Sequence, residues 1–179
     1  MTQILVVPHD PKWAAAFTEA ALEMAQAIGP NLVEVYHIGS TAIPGIYAKP
    51  IIDILAVVAD ITALDHRNAQ MELIGYEAKG EFGIAGRRYF RRNNAEGLRT
   101  HQVHAFQSGT SDIQRHLAFR DFMRAHRQFA RQYSELKIKL ATAHPNDLEA
   151  YIDGKDGFIK AMEQRALEWV RAGKQPEIV

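Results

Sequence analysis

The strongest constraint on the fold is the segment IIDILAVV at residues 51–58, a nearly continuous run of apolar and mostly β-branched residues. A run with no polar face is typical of a strand covered on both sides, so it predicts an interior strand of a sheet. Asp53 interrupts the run, and burying an ionised carboxylate is costly unless it is paired or coordinates a cation. Asp53 therefore needs a partner, which could be backbone N–H groups of the preceding loop, a nearby arginine or a metal ion.

Hydrophobic periodicity predicts the other elements. We predict strands at residues 4–8, 32–38 and 98–106, and two strands joined by a loop within 76–93. We predict helices that begin after the N-cap Asp10, at 61–74, from Ser111 or Asp112 onward, at 127–143, and from Asp147 to Val170 with an interruption at Gly154–Gly157. Residues 171–179 are expected to be loose.

Strands are therefore concentrated in the first 106 residues, and helices dominate the remainder. This distribution predicts an α+β (mixed α/β) fold, with a mixed sheet flanked by helices and a helical C-terminal third. With 179 residues, 47% hydrophobic content and no internal repeat or linker, we expect a single domain over residues 1–179.

The composition excludes several classes of protein. The absence of cysteine excludes a disulfide scaffold, a thiolate zinc site and a thiol nucleophile. No apolar run approaches the roughly 18 residues that a membrane span needs, and the N-terminus lacks the pattern of a secretion signal. We therefore expect a soluble, cytoplasmic protein with no membrane partner, whose oligomeric state the sequence does not predict.

Charge is unevenly distributed, although the net charge is zero. Residues 1–78 carry a net charge of −6, and residues 79–127 carry a net charge of +6. The basic segment is typical of a protein with an anionic partner, such as a phosphate, a nucleotide or RNA. Alternatively, it forms a solvated face that pairs with the acidic first third.

Alternation along the predicted strand at 87–92 places Arg88 and Arg92 on one side, where an arginine fork could bind a polyphosphate. A charged edge strand that resists aggregation is the alternative. The loop GSTAIPG at 39–45 returns the chain to the buried strand. In it, the hydroxyl and N–H groups of Ser40 and Thr41 could bind phosphate oxygens or merely cap the turn. Lys49 either reaches a phosphate or is a surface lysine.

These motifs carry a resemblance to known proteins. Gly39-Ser40 followed by Asp53 on a strand is similar to the signature of the nucleotidyltransferase superfamily, and GSTAIPG with KPIIDI resembles the GrpB-like family of uncharacterised proteins. Weaker matches are the helical motifs at Pro11, Trp13 and Phe17, at His116 to Phe122, and at Tyr151, Lys155, Phe158 and Ile159. The resemblance spans residues 6–169, nearly the whole chain.

The resemblance implies a mixed sheet with helices and a nucleotide site that depends on Mg²⁺ or Mn²⁺, with no organic cofactor. In that superfamily a Gly-Ser loop holds a nucleoside triphosphate, and acidic residues hold two metal ions. Applied to this sequence, the resemblance implies that Asp53 binds the metal and that the loop residues Gly39, Ser40 and Thr41 bind phosphate. It further implies that Lys49, Arg88 and Arg92 neutralise charge. Related domains fused to dephospho-CoA kinase imply a link to nucleotide metabolism.

The sequence departs from the superfamily pattern at Leu55, where a second carboxylate is expected on the same face of the strand as Asp53. One carboxylate binds Mg²⁺ weakly unless phosphates and other side chains complete the octahedron. No acid stands on the predicted strand 98–106, which carries His101 and His104 on opposite faces. We prefer His104 as a catalytic base or ligand, because it shares a face with Gln102 and Phe106.

Further candidate site residues are His37, His101, His116 and Arg120. His116 and Arg120 lie four residues apart on one helix face, where they could point at the sheet or pair with Asp112 and Asp121. Three functions remain open: Mg²⁺-dependent nucleotidyl transfer to an unknown acceptor, non-catalytic binding of a nucleotide or another phosphorylated small molecule, and RNA binding. No recognised RNA motif supports the last of these.

Overall fold

The computed structural model describes residues 3–174 and contains one five-stranded mixed sheet packed between helices. The strands are β1 (Leu32–Ile38), β2 (Ile52–Val58), β3 (Glu77–Ala78), β4 (Arg88–Asn93) and β5 (Arg99–Gln107). The helices are α1 (Lys12–Ile28), α2 (Ile61–Asp65), α3 (Asn68–Leu73), α4 (Ser111–Ala125), α5 (Arg127–Ala143) and α6 (Leu148–Arg171). This confirms the predicted fold class and the helical C-terminal third.

Within residues 3–174 the strand order is β1-β2-β5-β4-β3; the neighbours β2 and β5 pair in parallel, and the other neighbouring strands pair antiparallel. β2 lies between β1 and β5, which confirms that the apolar run forms an interior strand. Successive side chains of a strand point to opposite faces, so β2 divides its residues between two cores. Ile52 and Ile54 pack against one core, and Leu55 and Val57 pack against the other.

One face of the sheet, which we call the closed face, is covered by α1, α2 and α3. Its core includes Trp13, Met24 and Ile28 from α1, which are the positions that the helical stripe predicted. The opposite face, which we call the cavity face, is covered by α4, α5 and α6, whose core centres on Phe122 and Met162. This division determines which strand residues can reach the cavity, because the side chain of each strand residue points to one face of the sheet only.

Two helical predictions need correction. The predicted helix at 61–74 is two short helices, α2 and α3, and Asp60 caps the first by accepting from the N–H groups of Thr62 and Ala63. The predicted interruption at Gly154–Gly157 is absent from α6, which is continuous. A glycine is needed at position 154, because α6 packs there so closely against Leu140 of α5 that a Cβ atom would not fit.

Both ends of the chain also differ in detail from the prediction. The predicted N-terminal strand is reduced to a single bridge between Val7 and Ala48. The predicted N-cap Asp10 is wrong, because Pro11 is the N-cap of α1; Asp10 lies two residues before the first helical residue, Lys12, and accepts a hydrogen bond from its N–H at 2.9 Å. α6 ends at Arg171, and most of the tail expected to be loose lies outside the described residues. No helix within residues 3–174 has the length and apolar character required to cross a membrane.

Candidate functional site

A cavity of about 230 Å³ opens on the cavity face where β2 and β5 begin. Its floor is formed by Asp53 of β2 and Gln102 of β5, which are directly paired in the sheet. One wall is the loop 39–41 together with Lys49 and Ile51. The other wall comes from the C-terminal third, through Tyr133 and Lys137 of α5 and Tyr151, Ile152 and Lys155 of α6. Segments distant in sequence therefore meet here.

Gly39 allows the loop to pass directly over the Asp53 carboxylate. Its φ of 70° and ψ of −171° are backbone angles that essentially only glycine adopts. A Cβ atom on Gly39 would lie 2.5 Å from Asp53 Oδ2, which is closer than two such atoms can approach. The glycine is therefore required by the close approach between this loop and the acidic side chain.

The hydroxyl of Thr41 is committed to holding the loop together. It donates to the Ile51 carbonyl at 3.2 Å and lies 2.9 Å from His37 Nε2. When the Thr41 hydroxyl donates to Ile51, the Nε2–H tautomer of His37 donates to the hydroxyl oxygen. Burial, followed by Arg124 and Arg120, lowers the pKa of His37 to about 4, which keeps the ring neutral. Both hydroxyls line the cavity, and that of Ser40 is the one that does not contact His37 or Ile51.

Two arginines of α4 fasten the same loop from outside. Arg120 Nη1 donates to the carbonyl of His37 at 3.2 Å, and Arg124 Nε donates to the carbonyl of Ala42 at 2.8 Å. Arg120 also pairs with Asp121 at 2.7 Å. The guanidinium group of Arg120 therefore positions the loop and neutralises a carboxylate. This agrees with the alternative in which Arg120 pairs with Asp121.

Neither structural partner anticipated for Asp53 is observed among residues 3–174. Its carboxylate accepts no hydrogen bond and forms no close salt bridge within that part of the chain. It is half-buried and faces the cavity. Burial raises the pKa of Asp53 to about 6, and the charges of Lys155, Lys49 and Lys137 oppose this rise. The acid is therefore held deep in the protein but remains reachable from the cavity.

Three lysines surround this acid, and Lys137 is the most constrained of them. Lys137 is only 2% exposed, and its Nζ has no hydrogen-bond partner among the described residues. The ammonium group lies 4.3 Å from the centre of the Tyr133 ring. Burial, together with repulsion from Lys155, lowers the pKa of Lys137 to about 7. An unpaired amine in this position can accept both a proton and an anion.

Lys49 and Lys155 line the cavity and both lie close to the ring of Tyr151. Their Nζ atoms lie 5.8 Å and 4.8 Å from the centre of that ring. Burial lowers the pKa of each, and the negative charge of Asp53 partly counteracts the effect. Three amines facing one carboxylate give the cavity an excess of positive charge whenever the lysines are protonated. Such a set of donors can bind several phosphoryl oxygens at once.

The donor set does not fit a pair of magnesium ions. Mg²⁺ requires near-octahedral oxygen coordination, usually built on carboxylates and phosphates. Among the described residues, Asp53 supplies the one carboxylate that lines the cavity, and Leu55 is fully buried in the apolar core with Phe106. No group of three histidine or acidic side chains suited to a metal occurs within residues 3–174. Three neighbouring ammonium groups would also repel a divalent cation.

The structure does not bring Arg88, Arg92 or His101 to Asp53. All three belong to the closed face, because β4 and β5 alternate in register with β2. Arg88 pairs with Asp65 at 2.6 Å and Arg92 pairs with Glu23 at 2.7 Å. The expectation that these arginines neutralise a phosphate beside Asp53 is therefore corrected.

The partners of these arginines are also informative about the charge distribution. Asp65, Glu23 and the Glu77 partner of Arg91 all come from the acidic first 78 residues. Much of the basic segment is thus paired with the acidic segment, as the alternative interpretation proposed.

His104 shares a face with Asp53, but it lies farther along the sheet, opposite Leu55. Its ring packs against His116 at 5.5 Å, and its Nδ1 lies 3.3 Å from Arg87 Nη1. Burial lowers the pKa of His104 to about 3 and that of His116 to about 4, with further lowering by nearby cations. Neither ring lines the cavity, so both are buried neutral histidines separate from the site.

Sequence reasoning missed the contributions of α5 and α6 to the cavity, but two signals were present. Lys137 stands on the buried stripe of α5 with Ala130 and Tyr133, where an apolar residue is expected. Tyr151 and Lys155 belong to a motif that carried the family resemblance. A lysine on an apolar stripe and a shared polar motif were therefore the available indications.

Comparisons with known proteins agree with this geometry at the level of family and fold. A family model described as "GrpB protein" matches residues 3–165. The protein YqkA of Bacillus subtilis is 44% identical over 167 residues, which cover 93% of this chain and 48% of that protein. The chain thus spans about half the length of this curated relative.

Two solved structures are similar to the chain to different degrees. The crystal structure of the conserved protein GrpB from Enterococcus faecalis matches with a TM-score of 0.87 and 44% identity, covering 92% of this chain and 98% of that one. Cid1 in complex with the UTP analogue UMPNPP matches with a TM-score of 0.52 and 14% identity, covering 82% of this chain and 48% of that one. At such low identity, the second likeness shows a shared fold and nothing more.

Proposed function

The chain belongs to the GrpB protein family, and on that premise we propose that it binds a phosphorylated small molecule in the cavity between β2, α5 and α6. In this proposal Lys49, Lys137 and Lys155 neutralise the phosphoryl groups. Ser40 offers its hydroxyl to a phosphoryl oxygen. The protein would thus use a nucleotidyltransferase-like fold for metal-independent binding of a phosphate ester.

One observation carries the proposal, namely that three lysines and one unpaired carboxylate line a single cavity. Isolated buried charges are costly, so the deeply buried amine of Lys137 becomes favourably protonated only when an anion lies beside it. A phosphoryl group that enters the cavity would be such an anion. Hydrogen bonds to charged groups contribute about 1.5–3 kcal/mol each, so three ammonium groups would give substantial affinity for a polyphosphate.

Mg²⁺-dependent nucleotidyl transfer remains the second candidate function. The observation that favours it is the unpaired Asp53 carboxylate, which stands at the cavity in a fold shared with Cid1, whose structure was solved with a UTP analogue. With Mg²⁺ or Mn²⁺, Asp53 would be a ligand, and the affinity for a nucleotide would depend on both the metal and the acid. The two candidates therefore make opposite predictions for Asp53.

Calorimetric titration with ATP and with inorganic tripolyphosphate, in EDTA and in Mg²⁺, tests the proposal. We expect binding in EDTA that Lys137→Met weakens by about 10-fold or more, since one charge-assisted contact is lost. Lys139→Met is the matched control, because Lys139 is exposed on the same helix; it should bind as the unmodified protein does.

Asp53→Asn distinguishes the candidates by the sign of its effect. Removing this carboxylate removes its repulsion of a phosphate, so the proposal predicts tighter binding in EDTA. Binding that needs Mg²⁺ and is lost in Asp53→Asn would instead support nucleotidyl transfer. If neither ATP nor tripolyphosphate binds under any condition, polyphosphate binding by the three lysines and nucleotidyl transfer from ATP are both excluded.

A further inference from the structure

A second cavity of about 350 Å³ adjoins the lysine cavity and shares Lys49 and Ile51 with it. We propose that this apolar pocket binds the organic group of the same ligand, so that the ligand is a phosphate ester with a largely apolar part of nucleobase or short isoprenoid size. This inference rests on the proposed function, because it places the phosphoryl groups among the three lysines.

The walls of the second pocket are unusually apolar for an exposed surface. Leu98 and Leu148 are 44% and 49% exposed, and Leu5 is 58% exposed. These three leucines, which come from three separate segments, line the pocket together with Pro50. Single exposed leucines need no explanation, but several that converge on one concave surface beside a polar cavity are typical of a ligand site.

A few polar groups stand in the same pocket. Asn93 Oδ1 accepts a hydrogen bond from Arg99 Nε at 2.7 Å, which orients the guanidinium group. Arg99 has no carboxylate partner within residues 3–174, and its charge contributes to the lowered pKa of Lys49. Positive charge therefore extends from the lysine cavity into the apolar pocket, where it could meet the ester linkage of the ligand.

The dimensions of the two cavities support one ligand that occupies both. Ligand pockets for small organic molecules are typically about 300–1,000 Å³, and the lysine cavity alone, at about 230 Å³, falls below that range. The apolar pocket, at about 350 Å³, supplies the missing space. Inorganic polyphosphate would fill only the first cavity, whereas an organic phosphate ester would fill both.

The test compares binding of tripolyphosphate, ATP, UTP and geranyl diphosphate to the unmodified protein and to the double variant Leu98→Gln/Leu148→Gln. Both leucines are exposed, so the neutral, similarly sized substitutions should preserve folding. We expect the double variant to weaken binding of the tightest organic ester at least 10-fold and to leave tripolyphosphate binding unchanged. The matched control is Leu22→Gln/Leu73→Gln, which alters two leucines that are 63% and 87% exposed elsewhere on the surface.

The outcomes separate this inference from the proposed function. If tripolyphosphate binds through Lys137 but the double variant binds every organic ester as tightly as the unmodified protein, the apolar pocket is not part of the site and the inference is overturned. If no phosphate compound binds, the proposed function itself fails. A dependence on Leu98 and Leu148 for ATP or UTP identifies a nucleoside ligand, and the same dependence for geranyl diphosphate identifies an isoprenoid ligand.

Discussion

Charged groups are arranged differently on the closed face of the sheet and in the lysine cavity of the opposite face. On the closed face, Arg92 lies against Glu23 at 2.7 Å, and its guanidinium group stacks over Tyr76 at 4.7 Å. On the cavity face, Lys137 lies 4.3 Å from the centre of the Tyr133 ring, but neither its amine nor the Asp53 carboxylate has a hydrogen-bond or salt-bridge partner within residues 3–174. A buried charge that is fully paired contributes to the architecture, whereas one that is left unpaired indicates a site for something else.

The largest expected effect tests whether Leu55, which lies on the cavity face, is outside the cavity. Leu55→Asp should lower the free energy of unfolding by more than about 4 kcal/mol, because it places a carboxylate in a dry apolar core. Urea denaturation would measure this, with Leu55→Met as a control that should cost less than about 1.5 kcal/mol. A Leu55→Asp protein that is as stable as the original and binds Mg²⁺ tightly would show that position 55 belongs to the cavity.

The next effect compares one glycine from each face. Gly39→Ala should lower the free energy of unfolding by about 3 kcal/mol, because it combines strained backbone angles with a clash against Asp53. Gly75→Ala, on the closed face, would meet only the flexible side chain of Arg92 at 3.3 Å. It should cost about 1–2 kcal/mol for its positive φ of 87°. Equal losses in thermal or urea unfolding would contradict the close approach at Gly39.

Removing the unpaired amine should stabilise the empty protein. Lys137→Met replaces it with an apolar chain of similar length, and we expect the free energy of unfolding at pH 7 to rise by about 2 kcal/mol. Since burial lowers the pKa of Lys137 from 10.5 to about 7, the unfolded chain binds more protons than the folded chain between these values. The contribution of Lys137 to stability therefore rises with pH across that window.

The pH dependence provides the sharper measurement of this effect. Between pH 7 and 10, Lys137→Met should reduce the slope of stability against pH by about 1.4 kcal/mol per unit, which is the value for one proton. Lys139→Met should leave the slope unchanged. An unaltered slope in Lys137→Met would mean that the amine is not held neutral in the folded protein.

The smallest effect is expected on the closed face. Arg92→Met should lower the free energy of unfolding by about 1 kcal/mol, because the ion pair with Glu23 is partly exposed and screened by solvent. Binding of tripolyphosphate, measured by calorimetry, should be unchanged. If Arg92→Met weakens this binding as much as Lys137→Met does, the functional separation of the two faces is wrong.

Much of the fold could be predicted because local patterns and tertiary packing agree. The apolar run of β2 required cover on both sides, and the stripe from Trp13 to Ile28 required a helix that packs on the sheet. The exceptions arose where propensity competed with packing. Gly154 was expected to break α6, but it allows Leu140 of the neighbouring helix to approach closely.

The site could be predicted only in part, because its halves are far apart in sequence. Asp53, Gly39, Ser40 and Lys49 stand in one short segment, and the cost of burying Asp53 was sufficient to draw attention to it. Strand alternation correctly separated the faces of β4 but could not determine which face meets Asp53. The register of β4 against β5, and hence the placement of Arg92 on the closed face, depends on the complete sheet.

The three lysines of the cavity come from three different elements, namely the loop before β2, α5 and α6. An anion bound among them would connect the sheet noncovalently to the C-terminal helices. When they are protonated, the same lysines repel one another in the empty protein. Binding of an anion would therefore relieve this repulsion and also connect the three elements. Amide hydrogen exchange in α5 and α6 would then slow on loading, even though neither helix changes its place.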